Sequence, residues 1–187
     1  MKNILRNTTE LAKLFCEKYI DDGSVSVAVD ATCGNGHDTL WLAQRCVKVY
    51  AFDIQEAAVE ATKALLAEHN LKNVSVICDS HALMSKYVAE QVNIIMFNLG
   101  YLPGGDKTVA TGSDSTIEAL TQSLELLAVN GLVCVIMYWG HPQGAAERRT
   151  VLEWAAGLDK GRYHCVHTDM INQPNCPPEI LLITKKR

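Results

Sequence analysis

The segment VAVDATCGNGHDTLWLA, residues 27–43, passes from a strand pattern to a helix pattern within a few positions. Residues 27–30 are apolar or small up to a terminal acid, which predicts a short buried strand. A polar run with Gly34 and Gly36 follows, and a helical pattern begins at His37. Glycine lets a ligand approach the backbone closely, and a helix N-terminus offers N–H groups that suit a carboxylate or a phosphate. The segment therefore predicts a ligand-binding turn.

The composition is that of a folded globular protein. The chain has 187 residues, of which 48% are hydrophobic and 20% are charged, which is enough for one domain with a core. Its formal net charge of -4 argues against a broad basic nucleic-acid surface and leaves a local basic patch open. No apolar run approaches the roughly 20 residues of a membrane span, and no signal peptide is expected. The seven cysteines lack CxxC spacing, so we expect no metal site, no disulfides and a cytoplasmic location.

Helix and strand patterns alternate through the rest of the chain. The predicted helices are 8–20, 37–45, 56–70, 82–90, 115–128 and 145–157, and the predicted strands are 25–30, 47–53, 74–78, 92–98, 132–138, 163–168 and 180–184. A long loop is expected over residues 99–112 and a turn at Asn130-Gly131.

This alternation indicates the fold class. Strands that are apolar on both faces and separated by helices indicate a parallel sheet with helices on both faces. The last two strands have no helix between them, so they are expected to pair as antiparallel neighbours. We therefore predict an α/β fold with a single Rossmann-like domain and a seven-stranded, mostly parallel sheet. Residues 1–22 would form an N-terminal helix and residues 23–187 the core.

Three successive predicted strands end in aspartate, at Asp30, Asp53 and Asp79. In an open parallel sheet, ligands bind at the carboxyl ends of the strands. Asp53 could accept both hydroxyls of a ribose, Asp79 could contact an adenine edge, and Asp30 would suit a cationic amino group. A dinucleotide fingerprint needs a third glycine, and Thr39 occupies that position. The set matches a nucleoside with an amino-acid tail, although each residue alone also suits an ordinary turn or helix cap.

Four motifs carry a resemblance that covers essentially the whole chain. They are DATCGNGHDTLWLA, FNLGYLPGGD, GHPQG and NQPNCPP. Together they resemble the small bacterial family labelled "putative rRNA methylase", among the class I S-adenosylmethionine-dependent methyltransferases. Members of that family are identified as tRNA methyltransferases that act on the aminomethyl group of 5-aminomethyl-2-thiouridine at the anticodon wobble position.

The resemblance implies S-adenosylmethionine as the cofactor and the anticodon region of tRNA as the partner, with a homodimer left open. Asp30, Gly34 and Gly36 would surround the methionine moiety. Asp53 would hold the ribose, and Asp79 would lie on the adenine side. The full expected cofactor set is Asp30, Cys33, Gly34, Asn35, Gly36, Asp38, Asp53, Ile54, Asp79, Ser80, His81 and Asn98.

The NLGY turn after the fourth strand is the candidate reacting loop. It resembles the N-P-P-Y turn of amino-group methyltransferases without the prolines, so Asn98 and Tyr101 are the candidate catalytic residues. The side-chain oxygen of Asn98 can accept a hydrogen bond from an acceptor amine, and Tyr101 can stack on a base. The candidates for a general base are Asp106, His81 and His141, and the sequence does not choose among them.

Further loops at the same edge are candidates for the acceptor pocket. The candidate substrate-binding residues are Tyr101, Pro103, Tyr138, His141, Gln143, Asn172 and Gln173. Ordinary strand-to-helix connections and turns would explain the same residue types. Several lysines and arginines, among them Lys13 and Arg148, are either phosphate contacts or solvated charges.

The leading hypothesis is a tRNA wobble-uridine amine methyltransferase. An rRNA methyltransferase and a small-molecule amine methyltransferase are close alternatives. A nicotinamide-dependent oxidoreductase is disfavoured by Thr39, and a non-catalytic nucleoside-binding module is disfavoured by Asn98 and Tyr101.

Overall fold

One mixed sheet of seven strands is the frame of the molecule. The structure is a computed structural model that describes residues 7–20, 26–100 and 112–186. Its strands are β1 (Val27–Asp30), β2 (Lys48–Asp53), β3 (Val74–Cys78), β4 (Val92–Leu99), β5 (Leu127–Met137), β6 (Tyr163–Thr168) and β7 (Glu179–Lys185). They are ordered β3-β2-β1-β4-β5-β7-β6, and β7 pairs antiparallel with both of its neighbours. The predicted fold class, with its antiparallel last strand, is confirmed.

The helices begin where the sequence offers a cap or a turn. They are α1 (Thr8–Glu17), α2 (His37–Ala43), α3 (Glu56–Glu68), α4 (Ser113–Leu126) and α5 (Pro142–Ala156). Asn7 caps α1 by accepting a hydrogen bond from the backbone N–H of Thr9 at 2.9 Å. Proline begins α5, where a missing N–H costs no hydrogen bond.

Two apolar layers hold these helices on opposite faces of the sheet, because successive strand residues point to opposite sides. On one face, Phe97 of β4 belongs to a core with Leu120 of α4 and Val151 of α5. On the other face, Met96 belongs to a core with Leu42 of α2 and with residues of α1 and α3. Complete burial of a side chain of this size contributes about 1.5–3 kcal/mol, so apolar packing on both faces stabilises the sheet.

Several element bounds differ from the structure by a few residues, and two local predictions differ more. The helix predicted over 82–90 is a shorter 3-10 helix, His81–Lys86, and Leu83 inside it departs from helical backbone angles. The turn predicted at Asn130-Gly131 is wrong as a boundary, since both residues lie inside β5. Asn130 has a φ of 63°, and the register of β4 against β5 shifts between Val92 and Ile94. The strand therefore absorbs the positive φ as an irregularity, and Leu127 still pairs with Val92.

The sheet order brings the ends of several strands to one edge, here called the carboxyl edge. The central strand β1 pairs in parallel with β2 on one side and with β4 on the other. From β1 the chain adds strands first on one side, as β2 and β3, and then on the other side, as β4 and β5. Open α/β sheets bind ligands at the point where the strand order reverses in this way. None of the helices in the described ranges has both the length and the apolar character that a membrane crossing needs.

Candidate active site

The turn between β1 and α2 is built on two glycines with left-handed backbone angles. The φ of Gly34 is 51° and that of Gly36 is 82°. A Cβ on Gly36 would lie 2.9 Å from Cα of Thr62, so α3 leaves room for glycine only. The Thr62 hydroxyl also donates a hydrogen bond to the carbonyl oxygen of Gly34 at 3.1 Å. The turn is therefore packed on α3 as well as joined to β1.

Gly36→Ala should lower the free energy of unfolding by about 2 kcal/mol, because it adds backbone strain and a contact with the backbone of α3. Gly140→Ala is the matched control, since its Cβ would meet only Cys176 at 3.8 Å. Urea denaturation of both variants measures the difference. Equal midpoints for the two variants would contradict the close packing of this turn.

Asp30 lies beneath the glycine turn and not on its surface. The residue is fully buried. Its carboxylate accepts hydrogen bonds from the Thr39 hydroxyl at 2.6 Å and from the Thr32 N–H at 3.2 Å. Burial, and then the charge of Asp38, raises the pKa of Asp30 to about 7. The geometry favours a role for Asp30 in positioning the turn over direct contact with a ligand. Thr39, which holds the Asp30 carboxylate, occupies the position of the third glycine in the dinucleotide-binding motif.

Asp53 presents a partly exposed carboxylate at the end of β2. One oxygen accepts a hydrogen bond from the N–H of Gly34 at 3.0 Å, and the other accepts from the N–H of Gln55 at 2.9 Å. Each carboxylate oxygen can accept more than one hydrogen bond, so both keep capacity for a diol. The next side chain, Ile54, is 59% exposed. A carboxylate beside an open apolar side chain suits a ribose and the face of a base.

The end of β3 adds a second polar group at this edge. Asp79 accepts hydrogen bonds from the Tyr87 hydroxyl at 2.6 Å and from the N–H of Ser80 at 2.8 Å. The Tyr87 hydroxyl is the main reason that the pKa of Asp79 is lowered, so this carboxylate stays charged. Its partners are donors, and the remaining lone pairs suit an amino group such as that of adenine.

His81 is placed as a packed, neutral imidazole. Its Nδ1 lies 3.1 Å from the carbonyl oxygen of Ala31, which can only accept, so Nδ1 carries the proton. Burial lowers the pKa of His81 below its ordinary value. Its ring lies edge-on to Phe97, and Nε2 is buried with no hydrogen-bond partner in the described ranges. A role as general base stays a prediction.

Cys33 and Asn35 complete the glycine turn, one inside and one outside. Cys33 is 4% exposed, and burial raises the pKa of its thiol to about 12, so it stays protonated. Its N–H donates to the carbonyl oxygen of Phe52 at 2.8 Å. Asn35 is exposed at the tip of the turn. Among the residues that the structure describes, no cluster of His, Cys, Asp and Glu could hold a metal ion.

A chain of three side chains fixes Asn98 at the end of β4. The Asn98 side-chain N–H donates to one oxygen of Asp38 at 2.7 Å, and Lys13 pairs with the other oxygen at 2.7 Å. The backbone N–H of Asn98 donates to the Thr32 hydroxyl at 2.7 Å. Because Nδ2 is committed to Asp38, the amide keeps its carbonyl oxygen as an acceptor. Lys13 of α1, which the sequence suggested as a phosphate contact or a solvated charge, instead forms an ion pair with Asp38 and reaches the site through it.

A separate cleft of about 940 Å³ lies at the carboxyl edge, beyond the end of β5. Tyr138, Asn172 and Gln173 line it, together with the start of α1 and the loop between β6 and β7. His141 and Gln143 are not among its described lining residues, and the structure places them at the start of α5. The predicted contributions of Tyr101, Pro103 and Asp106 lie outside the described residues.

Tyr138 joins this cleft to the candidate reacting strand. Its N–H donates to the carbonyl oxygen of Leu99 at 3.0 Å, one residue beyond Asn98. A Cβ on Gly100 would lie 3.2 Å from Cβ of Tyr138. The candidate cofactor-binding residues lie at the ends of β1 to β3, and the cleft begins at the end of β5. Asn98, at the end of β4, lies between them.

Comparisons with known proteins agree with this fold and identify its family. Residues 49–184 match the family described as "Putative rRNA methylase". The chain is 34% identical over 197 residues to "tRNA (mnm(5)s(2)U34)-methyltransferase, chloroplastic" of Arabidopsis thaliana, covering 97% of this chain and 70% of that protein. A crystal structure of a Streptococcus mutans protein described as "a putative methyltransferase", in complex with SAH, has a TM-score of 0.88 and 37% identity, and the match covers 99% of both chains. A crystal structure from Clostridium thermocellum described as a "putative rRNA-methylase" has a TM-score of 0.92 and 39% identity, covering 96% of this chain and 97% of its own.

The fold, the edge and these matches define an S-adenosylmethionine-dependent class I methyltransferase. The residues at the edge fit that cofactor, because a diol-type carboxylate, an open apolar side chain and a tight glycine turn lie together. More narrowly, the chain belongs to the family described as "Putative rRNA methylase".

Proposed function

We propose that the chain N-methylates the aminomethyl group of 5-aminomethyl-2-thiouridine at the tRNA wobble position. The observation that carries this proposal is Asn98, held by Asp38 so that its carbonyl oxygen is the group left to accept a hydrogen bond. An amine N–H is a suitable donor for that oxygen. The Arabidopsis relative, whose name gives wobble uridine 34 of tRNA as its target, supports the choice of acceptor.

The chemistry asks the protein mainly for alignment. S-adenosylmethionine, when bound, supplies a methyl group on a sulfonium that is already a good leaving group. The acceptor amine must be neutral, so that its lone pair can form the new N–C bond while the S–C bond breaks and a proton leaves to solvent. Asn98 would hold the amine N–H and aim the lone pair, which is a proximity and orientation effect. No cysteine nucleophile is needed, and the raised pKa of Cys33 suits that.

The assignment of cofactor contacts belongs to the same proposal. The methionine end would lie at the glycine turn and the start of α2, where N–H groups can meet its carboxylate. Asp53 would hold the ribose, and Ile54 with Asp79 would lie at the adenine. Ser80 and His81, at the start of the 3-10 helix, would line the same side of the cofactor. A single domain over 1–187, a cytoplasmic location and a homodimer stay predictions.

Purified enzyme with methyl-labelled cofactor and tRNA from cells that lack the modification tests the acceptor directly. We expect the label on 5-methylaminomethyl-2-thiouridine after digestion to nucleosides and chromatography with mass detection. Matched tRNA from cells that carry the complete modification is the control and should accept no label. Parallel reactions supply ribosomal RNA or free small amines in place of tRNA. Label in the ribosomal RNA and none in tRNA would move the assignment to the activity that the family description names, and label on free amines alone would exclude RNA.

A further inference from the structure

The strand end that carries Asn98 extends beyond the strand beside it. β1 pairs with β4 only as far as Asp30, which lies opposite Met96. The last backbone hydrogen bond on this side runs from the N–H of Ala31 to the carbonyl oxygen of Met96, at 2.8 Å. β4 continues to Leu99 and stays paired with β5 on its other side. Asn98 therefore lies past the point where β1 supplies a backbone acceptor.

The Thr32 side chain supplies the acceptor that β1 no longer offers. The N–H of Asn98 points to the same side of β4 as the carbonyl of Met96, because backbone directions repeat every second residue of a strand. The Thr32 hydroxyl accepts a hydrogen bond from this N–H at 2.7 Å, although Thr32 lies outside β1. A partly buried N–H without an acceptor is costly, so the hydroxyl stabilises the end of β4.

A buried carboxylate fixes Thr32 in turn. The Thr32 N–H donates to one oxygen of Asp30 at 3.2 Å, and the Thr39 hydroxyl donates to the other oxygen at 2.6 Å. Asp30 and Thr39 are both fully buried, so water does not compete for these contacts. Threonine is β-branched and has few side-chain rotamers. A fixed backbone therefore leaves the Thr32 hydroxyl in a defined place before any ligand binds.

One short segment holds both the backbone and the side chain of Asn98. Thr32 holds the backbone N–H, and Asp38 accepts a hydrogen bond from the side-chain N–H at 2.7 Å. Thr32 and Asp38 flank the glycine turn, where the methionine end of the cofactor would lie. The direction of the Asn98 side-chain oxygen depends on both contacts, because the side chain moves with its backbone. The candidate acceptor-binding group and the cofactor turn therefore belong to one hydrogen-bonded unit.

We propose that Thr32 is a positioning residue for methyl transfer, which acts through the backbone of Asn98. The inference rests on the proposed function, in which the Asn98 side-chain oxygen holds the acceptor amine. A misplacement of about 1 Å at a reacting group can slow a reaction by about 100-fold. A shift of the end of β4 would turn the lone pair of the amine away from the S–C bond. Thr32 needs no contact with either ligand to have this effect.

Thr32→Val and Thr32→Ser test the role of the hydroxyl. Valine keeps the branched shape and removes the acceptor, whereas serine keeps the hydroxyl and removes only a methyl group. Single-turnover methyl transfer to tRNA that carries 5-aminomethyl-2-thiouridine should be about tenfold slower in Thr32→Val and within about threefold of wild type in Thr32→Ser. The affinity for S-adenosylhomocysteine, measured by calorimetry, should stay within about twofold of wild type in both variants.

Two further measurements separate positioning from a general loss of structure. Thr121→Val removes an exposed hydroxyl that donates to the carbonyl oxygen of Ile117 at 2.7 Å in α4, and it should leave the rate and the affinity unchanged. In the Asn98→Ala background, Thr32→Val should slow the reaction by less than about twofold further, because the two residues act in one chain. Urea denaturation gives the folded fraction of each variant, so that rates are compared per folded enzyme.

The outcomes separate the role of Thr32 from the activity. If Thr32→Val methylates the modified tRNA as fast as wild type, the positioning role is wrong and the proposed function stands. Equal losses of rate in Thr32→Val and Thr32→Ser, or a parallel loss of cofactor affinity, would also overturn the positioning role. Losses that multiply in the Asn98→Ala background would overturn it as well, because Thr32 would then not act through Asn98.

A different acceptor would contradict the proposed function alone. If wild-type enzyme labels ribosomal RNA or a small amine and leaves the tRNA unlabelled, the proposed function is wrong, and the same variants are assayed on the acceptor that takes the label. A tenfold loss in Thr32→Val that Thr32→Ser restores would support the positioning role there. An unchanged rate in Thr32→Val on that acceptor would overturn it.

Discussion

Asp53→Ala should weaken the binding of S-adenosylhomocysteine by about 100-fold, the largest effect on cofactor affinity that we expect from one side chain. Two hydrogen bonds from a diol to a charged carboxylate contribute about 1.5 kcal/mol or more each. Isothermal titration calorimetry measures the loss. Glu56→Ala, which removes an exposed carboxylate three residues later at the start of α3, is the control and should bind as wild type.

The difficulty with Asp53→Ala is that Asp53 also holds the N–H groups of Gly34 and Gln55. A loss of affinity could therefore come from a loosened turn. A cofactor product that lacks both ribose hydroxyls separates the two causes. The wild type should bind that analogue about as weakly as Asp53→Ala binds the parent compound, and the variant should not distinguish the two ligands. A variant that still prefers the ligand with hydroxyls would remove the ribose assignment.

The strand positions and the mostly parallel character of the sheet follow from local patterns in the sequence, whereas the order of the strands comes from the structure alone. The bounds predicted for β3 and β6 are those of the structure, since each strand is flanked by polar residues or a glycine-containing turn. The antiparallel last strand follows from the absence of a helix between two apolar runs. The Asn130-Gly131 pair misled, because a turn signal also suits a positive φ inside an irregular strand.

Contacts between distant residues were beyond reach of the sequence. Lys13 is one charged residue on an amphipathic helix, and nothing in its neighbours indicates a partner at Asp38. Likewise, the start of α1 becomes a wall of the cleft beyond β5 only because the helix packs near β7. Asp30 could be recognised as a residue of the site, but its burial against Thr39 depends on how the turn closes. Contacts of this kind depend on how distant parts of the chain pack together, and neither composition nor local sequence pattern specifies that packing.

Asn98→Ala should lower kcat by about 10- to 100-fold, since orientation of the acceptor is the main service that the protein supplies. The affinity for S-adenosylhomocysteine should stay within about twofold of wild type, because the change leaves the glycine turn and Asp53 in place. The backbone N–H still donates to Thr32, so the fold of the strand end is kept. Single-turnover kinetics measures the rate of methyl transfer, and calorimetry on the same preparations measures the affinity for S-adenosylhomocysteine. Parallel loss of rate and cofactor affinity would show that Asn98 serves the cofactor.

A double-mutant cycle of Lys13 and Asn98 tests whether the orientation of the Asn98 amide determines the rate of methyl transfer. Lys13 holds Asp38, and Asp38 holds the Asn98 amide, so Lys13→Met should slow methyl transfer through Asn98 alone. In the Asn98→Ala background, the same Lys13 change should then have little further effect, because residues that act in one chain are not additive. Lys18→Met, at the exposed end of the same helix, is the matched control and should leave the rate unchanged. If the two losses multiply instead, Lys13 acts elsewhere, and the ion pair with Asp38 only holds α1 against the sheet.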